Sequence, residues 1–207
     1  AELERKYCNM TRIVQDANIG GWHHFSSFNR GTIYDRWPYA DNQMDGFTYW
    51  SHIGGEGKIL LDGDFLRLNR CSSDGERRAQ VSLQLIAGGP VAIADTPETI
   101  GNFDKFYTNE ELLALNADRF VGKPLSDEVN SEGSCIWYGT MSNGDVVLAL
   151  FNREENSRNM SVNLADLGLE GTYNVRDLWR HVDEGTVETT FTAPVPRHDC
   201  KVVKLTK

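Results

Sequence analysis

Three short apolar runs in the first half of the chain each stop on acidic residues. "KYCNMTRIV" leads into Gln15-Asp16, "GKILLDGDF" carries Asp62 and Asp64, and "PVAIAD" ends on Asp95. Helix-like segments separate them. The stretch after Asp16 is long and rich in glycine and aromatics, and part of it reads as helical up to Trp37, where Pro38 disfavours continuation. "SSDGERRAQVSLQLIAGG" has Ser73 and Glu76 spaced as a capping box. Ala79, Leu83 and Ile86 share one face with Val81 and Leu85 alongside, and Gly88-Gly89 ends the helix. "TNEELLALN" repeats the pattern with Thr108 and Glu111. Strand alternating with helix predicts a parallel sheet covered by helices. In such sheets the carboxyl ends of the strands carry the chemistry, so three acidic endings in a row predict a functional rim.

From about Ser134 the texture changes to strand after strand: "CIWYGTM", "DVVLALFN", "NMSVNL", "TYNVRDLW", "TVETTFT" and "CKVVKLT". Val162 and Leu164 alternate with polar residues, which predicts an antiparallel sheet with one wet face. "SNGD" at Ser142–Asp145 predicts a type I′ hairpin turn, and "GLEG" and "DEG" also read as turns. The chain is thus α/β in its first part and all-β in its second, the latter a compact β-sandwich.

The 207 residues carry a net charge of −9, which argues against nucleic acid or an anionic membrane as partner. The pair Arg77-Arg78 is isolated and reads as a solvated helix face. No apolar run reaches the ~18 residues of a membrane span. Cys8, Cys71, Cys135 and Cys200 form no CxxC pair and read as buried free thiols. His23-His24 lacks the further ligands that a metal needs, and "NADRFVG" has too few acids for a calcium loop. No metal or cofactor is expected.

"YCNMTRIVQD" resembles the sixth-strand motif of glycoside hydrolase family 27, the α-galactosidase and α-N-acetylgalactosaminidase family, with Tyr7, Cys8, Asn9, Arg12 and Asp16 at the motif positions. "DGDF" resembles the family's seventh-strand Asp-Pro-Asp-Met, with Gly63 in place of proline and Phe65 in place of methionine. "QLIAGGPVAIAD", "ELLALNADRFVGKPL", "VVLALFNRE" and "VRDLWRHVDEG" resemble its later segments in the same order. The resemblance implies the last three β/α units of a (β/α)8 barrel over residues 1–125 and a C-terminal antiparallel β-sandwich over residues 126–207. It implies that the nucleophile strand lies upstream, since nothing here matches its Lys-x-Asp pattern.

Retaining glycosidases use two carboxyl groups about 5–5.5 Å apart. The resemblance makes Asp16 the acid/base, with a pKa raised by the nucleophile and by partial burial; on spacing alone, Asp16 reads as a strand end that caps the next helix. Arg12, four residues earlier on the same strand face, either grips a sugar hydroxyl or orients Asp16. Asp64 matches a sugar-binding position, Asp62 supports it, and Phe65 walls the pocket. Asp95 reads either as a structural strand end or as a ligand contact, and His198 reads as the tie of a turn before the last strand. Trp22, Phe25, Phe28, Trp37, Tyr39, Tyr49 and Trp50 are either core or sugar-stacking. The partner implied is a carbohydrate, an α-galactoside or related glycan. The alternative is a non-catalytic carbohydrate-binding or structural sandwich module. Three strands taken from a barrel also leave one sheet edge open, so self-association through it is expected.

Overall fold

The computed structural model describes residues 3–16, 20–26, 40, 42–55 and 58–207. Strands β1 (Met10–Arg12) and β2 (Leu60–Asp62) pair in parallel, with Met10 opposite Leu60 and Arg12 opposite Asp62. Side chains alternate across a strand. Leu61 is buried against the helices, whereas Met10 and Leu60, neighbours on the other face, are 50% and 45% exposed. The third apolar run does not extend the ladder as a strand. Only Leu66 bridges Ile93, Leu66 N–H donating to the Ala92 carbonyl at 2.7 Å and Ala94 N–H to the Leu66 carbonyl at 2.9 Å. Asp95 then turns the chain away, because its carboxylate accepts from Leu68 N–H and Tyr107 O–H, both at 2.7 Å.

The helices are α1 (Trp22–Phe25), α2 (Gln43–Trp50), α3 (Asp74–Ile86), α4 (Pro97–Ile100), α5 (Asp104–Tyr107) and α6 (Glu110–Ala117). Ser73 caps α3 as expected, its Oγ accepting from Glu76 N–H at 3.2 Å. The Glu76 carboxylate accepts from Ser72 N–H, one residue earlier than a capping box requires. For α6 the cap is Asn109 rather than Thr108. Asn109 Oδ1 accepts from Leu112 N–H at 3.1 Å, while Thr108 Oγ1 donates back to the Asp104 carbonyl and closes α5.

The second half forms β3 (Lys123–Pro124), β4 (Ile136–Thr140), β5 (Val146–Asn152), β6 (Arg158–Asn163), β7 (Tyr173–Asp177), β8 (Val182–Val187), β9 (Thr190–Val195) and β10 (Asp199–Thr206). An antiparallel sheet of order β3-β4-β5-β10-β7-β8 is covered by the pair β6-β9. Every residue of β5 is buried. Val146, Leu148 and Leu150 pack with Met160, Val162, Phe191 and Val195 of the small sheet. Val147, Ala149 and Phe151 join the core of the first half. The large sheet therefore has two dry faces at its centre, and the expected wet face belongs to β6 and β9, where burial alternates.

Two turns differ from the sequence reading. "TVETTFT" splits at Glu188-Thr189 into β8 and β9, and "DEG" lies inside β8 as an irregularity in its register with β7, with Gly185 at φ 83°. In "SNGD", type I′ would require φ > 0 at both central residues. Only Gly144 has it, at 92°, and its N–H donates to the Met141 carbonyl at 2.9 Å. The Asp118 carboxylate takes both the N–H and the hydroxyl of Ser142, and Asn143 Oδ1 accepts from Asp145 N–H, which fixes the ordinary-handed turn.

Charged groups join the halves. Arg153 Nη1 lies 2.7 Å from Asp45, both at most 2% exposed in their side chains. Arg78 reaches Asp199 at 2.6 Å, and Arg176 reaches Glu111 at 2.7 Å. Arg77 is not solvated: it is buried, its Nε and Nη2 donating to the Leu68 and Cys71 carbonyls at 3.1 and 2.6 Å. A fixed guanidinium fork can satisfy several carbonyls at once, which makes burial affordable at this position. All four cysteines are free; Cys71, Cys135 and Cys200 are buried, but Cys8 is exposed. Burial pushes the Cys71 thiol up to about 12.

Candidate active site

The carboxyl ends of β1 and β2 converge on one guanidinium. Arg12 Nη1 lies 3.1 Å from Asp16 Oδ1 and 2.9 Å from Asp64 Oδ2, and Arg12 Nε lies 3.3 Å from Asp62 Oδ2. Register places Arg12 beside Asp62, since the two are ladder partners. Asp64 is aimed by its backbone, which takes φ 68°, a conformation that aspartate tolerates better than most residues. Three hydrogen bonds hold this turn. Asp62 Oδ1 accepts from Asp64 N–H at 2.8 Å, Gln43 Nε2 donates to the Gly63 carbonyl at 2.7 Å, and Gln84 Nε2 donates to the Asp64 carbonyl at 3.1 Å. A Cβ on Gly63 would stand 2.4 Å from Phe47 Cε2, so a glycine here lets α2 press against the turn.

Burial grades across the cluster. The Asp64 side chain is 7% exposed, Asp62 20% and Asp16 87%. The partial burial anticipated for Asp16 is therefore not supplied by the described residues. Phe65 follows Asp64 and is half-buried. Asp95 lies apart from this cluster in its bonding: besides Leu68 and Tyr107 it accepts from Asn69 N–H at 3.3 Å, a structural role. Burial, then the Asp95 carboxylate, pushes the Tyr107 phenol up.

His24, from α1, is 8% exposed. Burial lowers its pKa to about 4, against the opposing pull of Asp64 and the Gly63 carbonyl; Arg12 lowers it further and Asp16 raises it. Among the described residues its Nε2 makes no hydrogen bond. The other aromatic candidates are mostly packing. Phe25 and Trp50 are core, Trp22 stacks on His198 with centroids 4.3 Å apart, and Tyr49 meets Trp50 edge-on. Phe28, Trp37 and Tyr39, and the helix expected up to Trp37, lie outside the described residues. His198 ties its turn to α3 and to the loop after β5, with Nδ1 3.2 Å from Glu76 and Nε2 3.1 Å from Glu155.

Residues 131–205 match the alpha galactosidase C-terminal beta sandwich domain. The chain is 41% identical to the isomalto-dextranase of Arthrobacter globiformis over 96% of its length, covering 32% of that protein. It is 28% identical to Alpha-galactosidase 2 of Arabidopsis thaliana over 86% of its length, covering 45% of that one. The solved structure of the Arthrobacter globiformis T6 enzyme, complexed with panose, superimposes with a TM-score of 0.89 at 39% identity, over 96% of this chain and 35% of that one. The chain is a relative of the family 27 glycoside hydrolases. It spans about a third of the dextranase and under half of the plant enzyme.

Sequence reasoning for a family 27 relative reaches Arg12, Asp16, Asp62 and Asp64, and the fold brings these four together. It passes over Gln43 and Gln84, and weighs His24 only within the His23-His24 pair. Gln84 carried a signal: a polar residue between Leu83 and Leu85 in a helix whose neighbouring positions are apolar must find a buried partner. His24 carried none beyond its place beside a tryptophan.

Proposed function

We propose that this chain is the C-terminal part of a retaining glycoside hydrolase, with residues 1–125 supplying three β/α units of its barrel and residues 126–207 its sandwich. Asp16 acts as acid/base, protonating the leaving oxygen and then deprotonating water. Asp64 accepts hydrogen bonds from sugar hydroxyls, Asp62 fixes the turn that presents it, and Phe65 walls the pocket. The observation that carries this reading is the single guanidinium of Arg12 holding Asp16, Asp62 and Asp64 at the strand ends. Among the described residues one guanidinium meets three carboxylates, and these are group types that donate to and accept from the hydroxyls of a polyhydroxylated ligand. The nucleophile comes from a segment outside these residues, because no Lys-x-Asp occurs in them.

The substrate proposed is an α-linked glucan of the dextran type rather than an α-galactoside. Its support is the greater likeness to the isomalto-dextranase, 41% against 28% for the plant α-galactosidase. Calorimetry on the chain with panose and with an α-galactoside tests both statements. Panose binding that is lost in Asp64→Asn is the expected result. Preference for the galactoside would overturn the substrate, and panose binding untouched by Asp16→Asn and Asp64→Asn would favour a sugar-binding module seated on the sandwich. Turnover at ordinary enzymatic rates by the 207 residues alone would refute the placement of the nucleophile elsewhere.

A further inference from the structure

We infer that His24 is a sugar-contacting residue of this site, its neutral imidazole holding a hydroxyl of the glucan unit bound by Arg12 and Asp64. The inference rests on the sugar site of the preceding reading and adds a residue to it. The residue is more than nine-tenths buried, and Nε2 has no hydrogen-bond partner among the described residues. A buried polar atom left unpaired costs about 1–3 kcal/mol, so it requires a reason. The ring sits within the electrostatic reach of Asp64, Arg12 and Asp16, the groups that define the rim.

The chemistry selects the occupant. A metal ion is disfavoured, because the guanidinium of Arg12 already occupies the space between the three carboxylates. An anion is disfavoured by those same carboxylates. A neutral imidazole donates through one nitrogen and accepts through the other; with the ring N–H given to the Gly63 carbonyl, Nε2 is left to accept from a sugar O–H. Burial keeps the His24 imidazole neutral at pH 7. The site then offers carboxylates that accept, a guanidinium that donates, and an uncharged imidazole nitrogen that accepts. The loop bearing His24 is seated for this: a Cβ on Gly20 would stand 2.9 Å from Arg67 Cβ, and one on Gly21 2.8 Å from the Arg70 carbonyl, so the approach of α1 to the rim depends on these glycines.

The test is nitrogen NMR of the 207-residue chain labelled in histidine and arginine, titrated with panose at pH 7. The expected result is a saturable shift of the His24 ring nitrogens together with Arg12 Nε. His24→Leu, which removes the unpaired atom while Gln43 still donates to the Gly63 carbonyl, is expected to weaken panose binding about fivefold to tenfold, as loss of one hydrogen bond does. His24→Gln should recover part of it. If Arg12 shifts while His24 does not, or if His24→Leu binds panose unchanged, this inference is overturned and the sugar site stands. If neither residue shifts, the sugar site itself fails and the inference falls with it.

Discussion

Replacing Asp45 with asparagine should unfold this protein far more readily than so small a change suggests. Asp45 and Arg153 form an ion pair at 2.7 Å, almost fully buried, between α2 and the end of β5. The second oxygen of Asp45 accepts from Asn42 Nδ2 at 2.9 Å, while Asn42 Oδ1 accepts from Asp45 N–H at 3.0 Å and caps α2. An asparagine at position 45 would have to present its NH2 either to Arg153 or to Asn42 Nδ2, and both are donors. Rotating the Asn42 amide to accept would break the cap. The buried guanidinium would also lose the full negative charge that Asp45 now sets 2.7 Å from it. Breaking a buried pair from one side costs about 3–5 kcal/mol, a large share of the ~5–15 kcal/mol that stabilises a typical domain. For a chain of this size that lowers the melting temperature by roughly 10 °C or more. Urea unfolding at pH 7, followed by tryptophan fluorescence, measures the loss. Arg153→Met alone should cost a similar amount, and the double variant Asp45→Asn/Arg153→Met much less than the sum. A loss below about 1 kcal/mol for Asp45→Asn, or strict additivity in the double variant, would refute the reasoning.

Three further outcomes follow from the geometry. The His24 pKa falls from 6.5 in the unfolded chain to about 4 in the folded one, so the unfolded state takes up the proton first; stability is complete above about pH 6.5 and declines by up to about 3 kcal/mol as the pH drops towards 4. His24→Leu should flatten that acid limb in denaturant melts recorded between pH 7 and 4, and an unchanged slope would show that His24 does not cause it. Gly63→Ala should cost about 1–3 kcal/mol through the 2.4 Å clash with Phe47, largely relieved by Phe47→Leu in the same chain. Ser73→Ala should cost about 1 kcal/mol by removing the α3 cap, read as a shift in urea midpoint without a change in slope.

The strands of the sandwich were legible because alternation is a local signal, and β6 and β9 keep it in full. β5 gave only a continuous apolar run, which shows that a strand is buried on both sides but not by what. Its second cover is the core of the first half, where Phe151 meets Phe25 from α1, far away in sequence. Arg78 was misread for the same reason, since Asp199 lies 121 residues away; Arg77 was misread because the turn before α3 folds the Leu68 and Cys71 carbonyls back onto its guanidinium. The turn at "SNGD" went to an ordinary-handed form because Asp118, from another loop, holds Ser142. At the site, register alone placed Arg12 beside Asp62. The grip of Gln43 and Gln84 on the Gly63-Asp64 turn depends on how α2 and α3 dock, and no spacing in the sequence encodes it.

Met10 and Leu60 stand two residues below Arg12 and Asp62 on the same strand faces, about half open to water. Water there raises the effective dielectric under the cluster, and attraction between charges scales inversely with it. A surface that covers these two side chains would therefore act at a distance on the four groups above. It would deepen the hold of Arg12 on its carboxylates and sharpen the field felt by a bound sugar, without touching any of them. The apolar pair works as a dimmer for the electrostatics of the rim.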